Sequence, residues 1–252
     1  MGRVQDKVAL VTGGASGVGR ETALLLAREG ARVAITDVDE AAGQALAREI
    51  GERATFMRQD VAVEGDWVHV VEQLQRRWGR LDILVNNAAI LIPGNVETAT
   101  LEQFEKLMRV NAGSCFLGCK HGVQAMKEHG GSIINMASVS SWLPVEGYLG
   151  YSASKAAVAA VSRATALHCR KSGYAVRVNS VHPDAIWTPM MQATVPGVDA
   201  RHLLFDARSN PRGRACQASQ VASVLLFLAS DESSAISGSE VRVDNGVLGM
   251  GL

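Results

Sequence analysis

The chain has 252 residues, and its 25 basic and 25 acidic side chains balance to a formal net charge of zero. A balanced chain lacks the sustained positive field that a nucleic-acid backbone requires, so nucleic acid is not an expected partner. One α/β domain of this length buries about three quarters of its unfolded surface, and we expect a single domain over residues 1–252. The first apolar run, KVALVT, is too short to span a membrane, which favours a cytoplasmic protein without membrane contact.

The four cysteines, Cys115, Cys119, Cys169 and Cys216, show no regular spacing. Their mostly apolar helical surroundings are typical of buried thiols rather than of disulfides. His121 lies close to CFLGC, but this pattern completes no set of four metal ligands. We therefore expect core thiols and no metal site.

Short apolar runs rich in Val and Ile alternate with segments of helical period along the chain. In chain order the predicted strands include KVALVT, RVAITD, LDILVNN, GSIINMAS and AVRVNSV. Gly30 and Gly51 follow the first two helical segments, where C-terminal caps often stand. This alternation predicts a Rossmann-type, doubly wound α/β domain with a mostly parallel sheet of about seven strands and helices on both faces.

A glycine-rich turn, TGGASGVG (Thr12–Gly19), joins the first predicted strand to the first helix. A dinucleotide pyrophosphate can rest there on backbone N–H groups, and side chains at Gly13, Gly17 and Gly19 would block its approach. A tight turn without any ligand uses the same residues, so the motif alone is weak evidence.

Asp37 ends the second predicted strand, RVAITD, about 20 residues further on, where a carboxylate can accept the ribose hydroxyls of a dinucleotide and repel a 2′-phosphate. No Arg or Lys stands inside the glycine turn or directly after Asp37. Arg20 and Arg32 are interpreted as solvent-face or helix-end residues. This pattern favours NAD over NADP.

Polar residues also mark the ends of the next two predicted strands. Asp60 and Val61 end the third strand, and NNAA (Asn86–Ala89) ends the fourth. The carboxyl ends of parallel strands meet at one edge of a sheet, so these tips belong to the same crevice. Each of them is also compatible with a simple strand-end turn.

Asn111 and Ser138 are two further candidates for this crevice. Asn111 lies in the helical pattern LEQFEKLMRVNAGSCFLG, where Asn is a poor helix former, and a helix kink is its alternative interpretation. Ser138 ends the fifth predicted strand, GSIINMAS, thirteen residues before Tyr151, so its hydroxyl can reach a reacting oxygen at the same edge. A helix or turn cap in ASVSS is the alternative for Ser138.

Tyr151 and Lys155 stand four residues apart in GYSASKAAV, which places them on one face of a helix that starts near Gly150. A phenol needs its pKa lowered by about 3 units, or about 4 kcal/mol, to act as a base near neutrality. A cation about 4 Å away at an effective dielectric of about 20 supplies about 4 kcal/mol. Lys155 could therefore make Tyr151 a general acid or base for an alcohol-to-ketone conversion.

Residues 182–216 break the alternating rhythm, with four of the six prolines and no clear period. So long an irregular connection is typical of a loop that covers a site. We expect a substrate lid here.

Taken together, these motifs resemble the short-chain dehydrogenase/reductase family over essentially the whole chain. TGGASGVG matches that family's TGxxxGxG, NNAA its NNAG and YSASK its YxxxK, in the expected order and with Ser138 between them. The resemblance implies a tetrad of Asn111, Ser138, Tyr151 and Lys155. In it, Tyr151 is the acid/base, Ser138 positions the substrate oxygen, Lys155 holds the nicotinamide ribose and lowers the tyrosine pKa, and Asn111 holds a water that continues the proton path.

The same resemblance implies NAD as the cofactor, NADH in the reductive direction, and a wider cofactor site. Ile186 and Thr188 are expected at the nicotinamide carboxamide. The full set of expected cofactor-binding residues is Gly13, Ser16, Gly17, Val18, Gly19, Asp37, Asp60, Val61, Asn87, Ala88, Tyr151, Lys155, Pro183, Ile186 and Thr188.

Two residues depart from the family pattern. Ala89 replaces the usual Gly of NNAG, which adds one methyl group near the adenosine side. Asp184 follows Pro183 where the family has Pro-Gly, so the loop can have an altered shape or an extra carboxylate near the substrate.

Longer stretches, such as MASVSSWLPVEGYLGYSASKAAV and HPDAIWTPMMQA, resemble the bacterial hydroxysteroid dehydrogenases of this family. The resemblance implies interconversion of a 3β/17β-hydroxysteroid and an oxosteroid, and a homotetramer in which the C-terminal NGVLGMGL packs. A broad apolar cleft would suit such a substrate, although the same side chains also fit lid packing. The expected substrate-binding residues are Ser138, Tyr151, Trp142, Leu143, Trp187, Met190 and Met191, with Ile186 as a further wall residue.

Three alternatives stay open. The substrate can be a bulky apolar secondary alcohol other than a steroid. Tyr148 stands seven residues before Lys155, the Y-x6-K spacing of enoyl reductases in the same superfamily. A non-catalytic NAD-binding sensor is the remaining class, although such proteins usually lose part of the tetrad.

Overall fold

The computed structural model describes residues 2–249, apart from the side chain of Arg201. A seven-stranded parallel sheet forms its centre, in the strand order β3-β2-β1-β4-β5-β6-β9. Its strands are β1 (Val8–Thr12), β2 (Arg32–Asp37), β3 (Ala54–Arg58), β4 (Ile83–Asn86), β5 (Gly131–Met136), β6 (Val176–Pro183) and β9 (Glu240–Val243). The order reverses between β1 and β4, so the predicted doubly wound Rossmann-type fold is confirmed.

Helices cover both faces of this sheet. The long ones are α1 (Gly17–Arg28), α2 (Glu40–Ile50), α3 (Glu64–Trp78), α5 (Ser114–Met126), α6 (Leu149–Lys171) and α9 (Ala218–Ala229), and the short α4 (Leu101–Leu107) runs through a π-helical turn, Met108–Gly113, into α5. One buried apolar cluster lies under α1, α2 and α9, and a second lies under α3, α5 and α6. The central strand β1, VALVT, is almost continuously apolar and fully buried because both of its faces are covered.

Local sequence explains how the helices begin and end. Asp39 precedes α2 and its carboxylate accepts the Ala42 N–H at 3.0 Å. Gly51 ends α2 with a φ of 85°, and Gly30 follows α1 with a φ of 94°, conformations that favour glycine. The predicted glycine caps are therefore confirmed.

Some boundaries differ from the sequence-based expectation. The third strand ends at Arg58, two residues before Asp60, and the fifth ends at Met136, two residues before Ser138. The last strand, β9, has charged residues in EVRV that hide its pattern, and it joins the sheet through pairing with β6.

The expected lid segment, residues 182–216, is more regular than its sequence indicates. His182 and Pro183 belong to β6, and the segment then contains β7 (Ile186–Trp187), α7 (Pro189–Gln192), α8 (Ala200–Leu203) and the start of β8 (Cys216–Gln217). β7 and β8 pair as a small parallel sheet, so the two ends of the segment are joined.

The four cysteines are buried and free, as predicted. Within residues 2–249, no group of three or more His, Cys, Asp and Glu side chains is arranged to hold a metal ion. No helix in the same range combines the length and apolar character needed to cross a membrane. Of the C-terminal NGVLGMGL, residues 250–252 lie outside the described residues.

Candidate active site

A cleft of about 390 Å³ opens at the carboxyl edge of the sheet. Its walls come from the turn after β1, from the tips of β2 to β6, from α6 and from the beginning of the 182–216 segment. Almost all of the expected cofactor residues line it: Gly13, Ser16, Gly17, Val18, Asp37, Asp60, Val61, Asn87, Ala88, Tyr151, Lys155, Pro183, Ile186 and Thr188.

The glycine turn has the shape of a phosphate-binding loop. Gly13 and Gly17 have φ values of 60° and 53°, which L-side chains rarely adopt. Gly17 faces Thr188 across the cleft, where an added Cβ would lie 3.2 Å from the Thr188 methyl carbon. The side chain of Ser16 does not cap α1, so the first turn of that helix is left to a ligand or to water.

Gly19, an expected cofactor residue, does not line the cleft. It lies within α1, and a Cβ there would stand 2.1 Å from the Gly13 carbonyl oxygen. Its glycine is required by backbone packing inside the turn rather than by ligand approach.

Hydrogen bonds hold the glycine turn against the end of β4. The Asn87 amide donates to the carbonyl oxygens of Thr12 and Gly13, both at 3.0 Å. The Thr12 hydroxyl accepts the backbone N–H groups of Asn87 at 3.0 Å and Ala88 at 3.2 Å. The turn is thus rigid before any ligand binds.

The Asp37 carboxylate faces the same cleft from the end of β2. One of its oxygens accepts the Ala15 N–H of the glycine turn at 3.0 Å, and the other accepts the Asp39 N–H at 3.1 Å. These bonds fix the carboxylate beside the turn, where it can accept further hydrogen bonds from a ligand.

Asn111 is buried in the π-helical turn between α4 and α5, outside the cleft lining. Its side chain accepts the Ile90 N–H at 2.8 Å and donates to the Ile90 carbonyl and to the Ser154 hydroxyl, both at 3.0 Å. Ser154 in turn donates to the Tyr151 carbonyl at 2.7 Å. Asn111 therefore supports the helix that carries Tyr151, and the kink considered as its alternative interpretation is present as a π-helical turn, a feature frequent at functional sites.

Ser138 combines the two roles that its sequence position allows. It precedes a single 3₁₀ turn, Val139–Ser141, and its hydroxyl accepts the Ser140 N–H at 3.1 Å. The same hydroxyl lies 2.7 Å from the Ser140 hydroxyl and lines the cleft, where its presence opposes the rise of the Tyr151 phenol pKa.

Tyr151 and Lys155 share one face of α6, as predicted, but the expected lowering of the tyrosine pKa is wrong for this arrangement. Burial outweighs the hydrogen bond from Ser138 and raises the Tyr151 pKa to about 12. The Lys155 ammonium lies 5.6 Å from the ring centroid and donates to the Met136 carbonyl at 2.7 Å. Its own burial lowers the Lys155 pKa to about 8.

Asp184, the departure from Pro-Gly, lines the cleft and pairs with Arg214. The two carboxylate oxygens accept Arg214 Nε at 2.5 Å and Nη2 at 3.1 Å. The anticipated extra carboxylate is therefore present, but it is matched by a cation from the far end of the 182–216 segment.

Several expected substrate residues lie outside the cleft lining. Of the predicted apolar wall, Ile186 and Met190 line the cleft, whereas Trp142, Leu143, Trp187 and Met191 do not. Trp142 instead stacks on His182 and is 41% exposed. The lining residues that the sequence reasoning did not name are Val38, Gln59, Ile90, Val110, Met136, Ala137 and Pro189. They flank the recognised motifs, so inclusion of motif neighbours at each strand tip would have found most of them.

The groups at the two ends of the cleft are suited to bind a dinucleotide. Positive-φ glycines and an uncapped helix terminus suit a pyrophosphate, and the fixed Asp37 carboxylate suits ribose hydroxyls. At the other end, the Ser138 hydroxyl, the Tyr151 phenol and the Lys155 ammonium face the space where a reacting oxygen and a second ribose could lie.

Known proteins resemble this chain along nearly its full length. A family model described as "Enoyl-(Acyl carrier protein) reductase" matches residues 13–248. A 3-beta-hydroxysteroid dehydrogenase from Comamonas testosteroni is 61% identical over 251 residues, which are 99% of each chain. A cyclopentanol dehydrogenase from Comamonas sp. (strain NCIMB 9872) is 40% identical over 98% of each chain, and an NADP-dependent (R)-specific alcohol dehydrogenase from Lentilactobacillus kefiri is 36% identical over 97% of each chain.

These relatives are dehydrogenases of alcohols, and their similarity covers the strand tips and the helix that form the cleft. The chain therefore belongs to the short-chain dehydrogenase/reductase family and is an oxidoreductase of secondary alcohols that uses a nicotinamide cofactor.

Proposed function

We propose that this enzyme is an NAD-dependent dehydrogenase that interconverts a 3β- or 17β-hydroxysteroid and the corresponding oxosteroid. The observation that carries the proposal is the shared cleft of Ser138, Tyr151 and Lys155 with the glycine turn and Asp37. The 61% identity to a 3-beta-hydroxysteroid dehydrogenase supports the substrate class.

Tyr151 is proposed as the group that moves the proton. Because burial raises its pKa to about 12, the phenol holds its proton at neutral pH and can donate it to the carbonyl oxygen of a ketone. In alcohol oxidation the phenol first loses its proton to solvent, and the phenolate oxygen then takes the hydroxyl proton of the alcohol. The nicotinamide ring, when bound, supplies or accepts the hydride.

Ser138 and Lys155 have supporting roles in this proposal. The Ser138 hydroxyl, which lines the same cleft as the phenol, holds the substrate oxygen beside Tyr151. Lys155 has a pKa of about 8 and is therefore mostly an ammonium at pH 7, where it can bind the nicotinamide ribose and favour the ionised phenol during oxidation.

We infer NAD rather than NADP from the position of Asp37. Its carboxylate is fixed beside the glycine turn by the Ala15 and Asp39 N–H groups, where it would repel a 2′-phosphate. Because the relative from Lentilactobacillus kefiri is NADP-dependent, the affinities of this enzyme for NAD and for NADP have to be compared directly.

A second candidate function is the oxidation of a smaller cyclic alcohol, which the cyclopentanol dehydrogenase relative favours. The test is a panel of 3β- and 17β-hydroxysteroids, cyclopentanol and linear alcohols, with NADH formation followed by absorbance and with NAD and NADP compared. We expect the highest kcat/KM for a hydroxysteroid with NAD. Higher kcat/KM for cyclopentanol would replace the steroid proposal, and NAD binding without NADH from any alcohol would favour a sensor.

The enoyl reductase alternative depends on Tyr148. This residue precedes α6 and is not part of the cleft lining, whereas Tyr151 is. We therefore retain Tyr151 as the proposed acid/base, although the matching family model is described as an enoyl reductase.

We also propose that the chain forms a single domain on which residues 182–216 act as a lid.

The enzyme is further proposed to be a homotetramer. Phe116 on α5 and Leu167 on α6 are 54% and 53% exposed, and such apolar side chains on long helices suit subunit contacts. Light scattering after size-exclusion chromatography gives the mass directly, and a monomeric mass would contradict the tetramer.

A further inference from the structure

His182 is a fully buried histidine next to the proposed active site, and the mechanism above does not use it. It lies on β6 directly before Pro183 and has 0% exposure. Its Nδ1 lies 2.9 Å from the Ser141 hydroxyl and 3.1 Å from the Ser138 carbonyl oxygen, and its Nε2 lies 2.8 Å from the Ser180 hydroxyl. Both ring nitrogens are therefore engaged.

These contacts define which nitrogen carries the proton. The Ser141 hydroxyl donates its single proton to the Ser138 carbonyl at 2.5 Å, so it accepts from His182 Nδ1. The Ser138 carbonyl can only accept, which also requires a proton on Nδ1. Nε2 then accepts from Ser180. The ring is neutral at pH 7, in keeping with its pKa, which burial lowers to about 4.

As a result, two donors, His182 Nδ1 and the Ser141 hydroxyl, converge on one carbonyl oxygen, that of Ser138. A peptide group held by two donors has little freedom to rotate, and the Ser138 side chain starts from that same residue. Its hydroxyl lines the cleft together with the Tyr151 phenol and opposes the rise of the phenol pKa. His182 therefore acts on the proposed site through the backbone of Ser138.

The remaining neighbours keep the histidine ring in place. Trp142 stacks on it with ring centroids 4.1 Å apart and an interplanar angle of 14°. Glu240 of β9 lies 3.7 Å from Nε2, beyond hydrogen-bond distance, and is itself paired with Arg163 of α6. The ring is thus held by the Trp142 stack and by its hydrogen bonds to Ser138, Ser141 and Ser180.

We propose that His182 is a positioning residue for alcohol oxidation and ketone reduction: its Nδ1–H, together with the Ser141 hydroxyl, holds the Ser138 peptide so that the Ser138 hydroxyl meets the reacting oxygen. The inference rests on the proposed function of Ser138. It places a determinant of turnover outside the cleft lining, on a residue that touches neither cofactor nor substrate.

The test compares His182→Phe and His182→Asn. Phe keeps an aromatic ring under Trp142 but donates no hydrogen bond, whereas the Asn amide can donate from the position of Nδ1. We expect His182→Phe to lower kcat about tenfold or more, the size of one lost orienting hydrogen bond, with little change in the NADH Kd. We expect His182→Asn to recover kcat to within about threefold of the unmodified enzyme.

His168→Phe is the matched control, because His168 is exposed near the end of α6 and contacts Tyr174 rather than the cleft. An unchanged kcat in His182→Phe, or a kcat in His182→Asn as low as in His182→Phe, overturns the proposal. If His182→Phe does not fold, Ser141→Ala takes its place: it removes the second donor to the Ser138 carbonyl, and an unchanged kcat in that variant likewise overturns the proposal.

Ser138→Ala separates this inference from the proposed function. If Ser138→Ala is as active as the unmodified enzyme, the assigned role of Ser138 fails. If Ser138→Ala is slow while His182→Phe has the kcat of the unmodified enzyme, only the role of His182 fails.

Discussion

The pKa of Tyr151, the proposed acid/base, depends on a competition between burial and polar neighbours. Burial raises its pKa to about 12, and the hydrogen bond from Ser138 opposes that rise. A protonated phenol can donate its proton in ketone reduction, whereas in alcohol oxidation the phenol must first release its proton before its oxygen can accept the proton of the substrate hydroxyl. At neutral pH the phenol is therefore in its protonated form, which can donate a proton, in the arrangement seen here.

Tyr151→Phe is expected to lower kcat at least about 100-fold, because it removes the hydroxyl that is proposed to exchange a proton with the substrate oxygen. NADH binding, measured by fluorescence titration, should change little. Tyr148→Phe is the matched control, and it should remain active because Tyr148 lies outside the cleft lining. An inactive Tyr148→Phe beside an active Tyr151→Phe would transfer the catalytic role to the other tyrosine.

Asp37→Ala is expected to weaken NADH binding about tenfold and to reduce the discrimination against NADPH, because it removes both the ribose acceptor and the negative charge. The same change frees the Ala15 N–H of the glycine turn. Asp37→Asn is the milder control, since it removes the charge and keeps one acceptor oxygen. Equal NADH and NADPH affinities in the unmodified enzyme would contradict this prediction.

At the scale of elements, the 182–216 segment is tied down at both ends. β7 pairs with β8, and Asp184 near one end forms a bidentate pair with Arg214 near the other. The Asp184 side chain is only 9% exposed, whereas Arg214 is 55% exposed. The pair thus closes the segment into a loop that places Thr188 opposite Gly17.

Arg214→Ala is expected to raise the KM for the cofactor more than Asp184→Gly does, because it leaves the buried Asp184 carboxylate at the cleft without a partner. The double variant should recover part of the loss, since the unpaired charge is then gone. Steady-state kinetics of the four proteins form a double-mutant cycle. Additive effects in that cycle would show that the pair does not hold the segment.

The sequence predicts well which residues stand at the strand ends and on α6. It does not predict the Asp184–Arg214 pair that joins the two ends of the 182–216 segment. Tyr151 and Lys155 follow from four-residue spacing alone, which the helix enforces. The Asp184–Arg214 pair joins residues 30 positions apart whose local patterns carry no period. The raised pKa of Tyr151 could not be predicted from the sequence either, because it depends on where the Lys155 ammonium points and on how deeply the phenol is buried.

On the scale of the whole molecule, the site sits where two apolar clusters, one on each face of the sheet, meet the carboxyl edge. The fold therefore places a charged group at the border of its own core. Lys155 is 3% exposed, and Met136 is its one hydrogen-bond acceptor among the contacts of the described residues. Such a cation is expected to cost stability that the enzyme gives up for function.

Lys155→Met is accordingly expected to abolish turnover and to raise the free energy of unfolding at pH 7 by about 1 to 3 kcal/mol. At pH 7 the Lys155 amine is mostly protonated in the folded chain, where its pKa is about 8, and fully protonated in the unfolded chain, where it is near 10.5, so the cost of burying the charge is almost fully present. As the pH rises from about 8 towards 10.5, the folded chain loses this proton first, and the cost is progressively relieved. The stability difference between the variant and the unmodified enzyme should therefore shrink between pH 7 and pH 10 in urea titrations.

Lys106→Met, on an exposed position of α4, should change stability by less than about 0.5 kcal/mol at either pH. A Lys155→Met protein less stable than the unmodified enzyme at pH 7, or a difference that is the same at both pH values, would contradict the assigned cost of this buried ammonium.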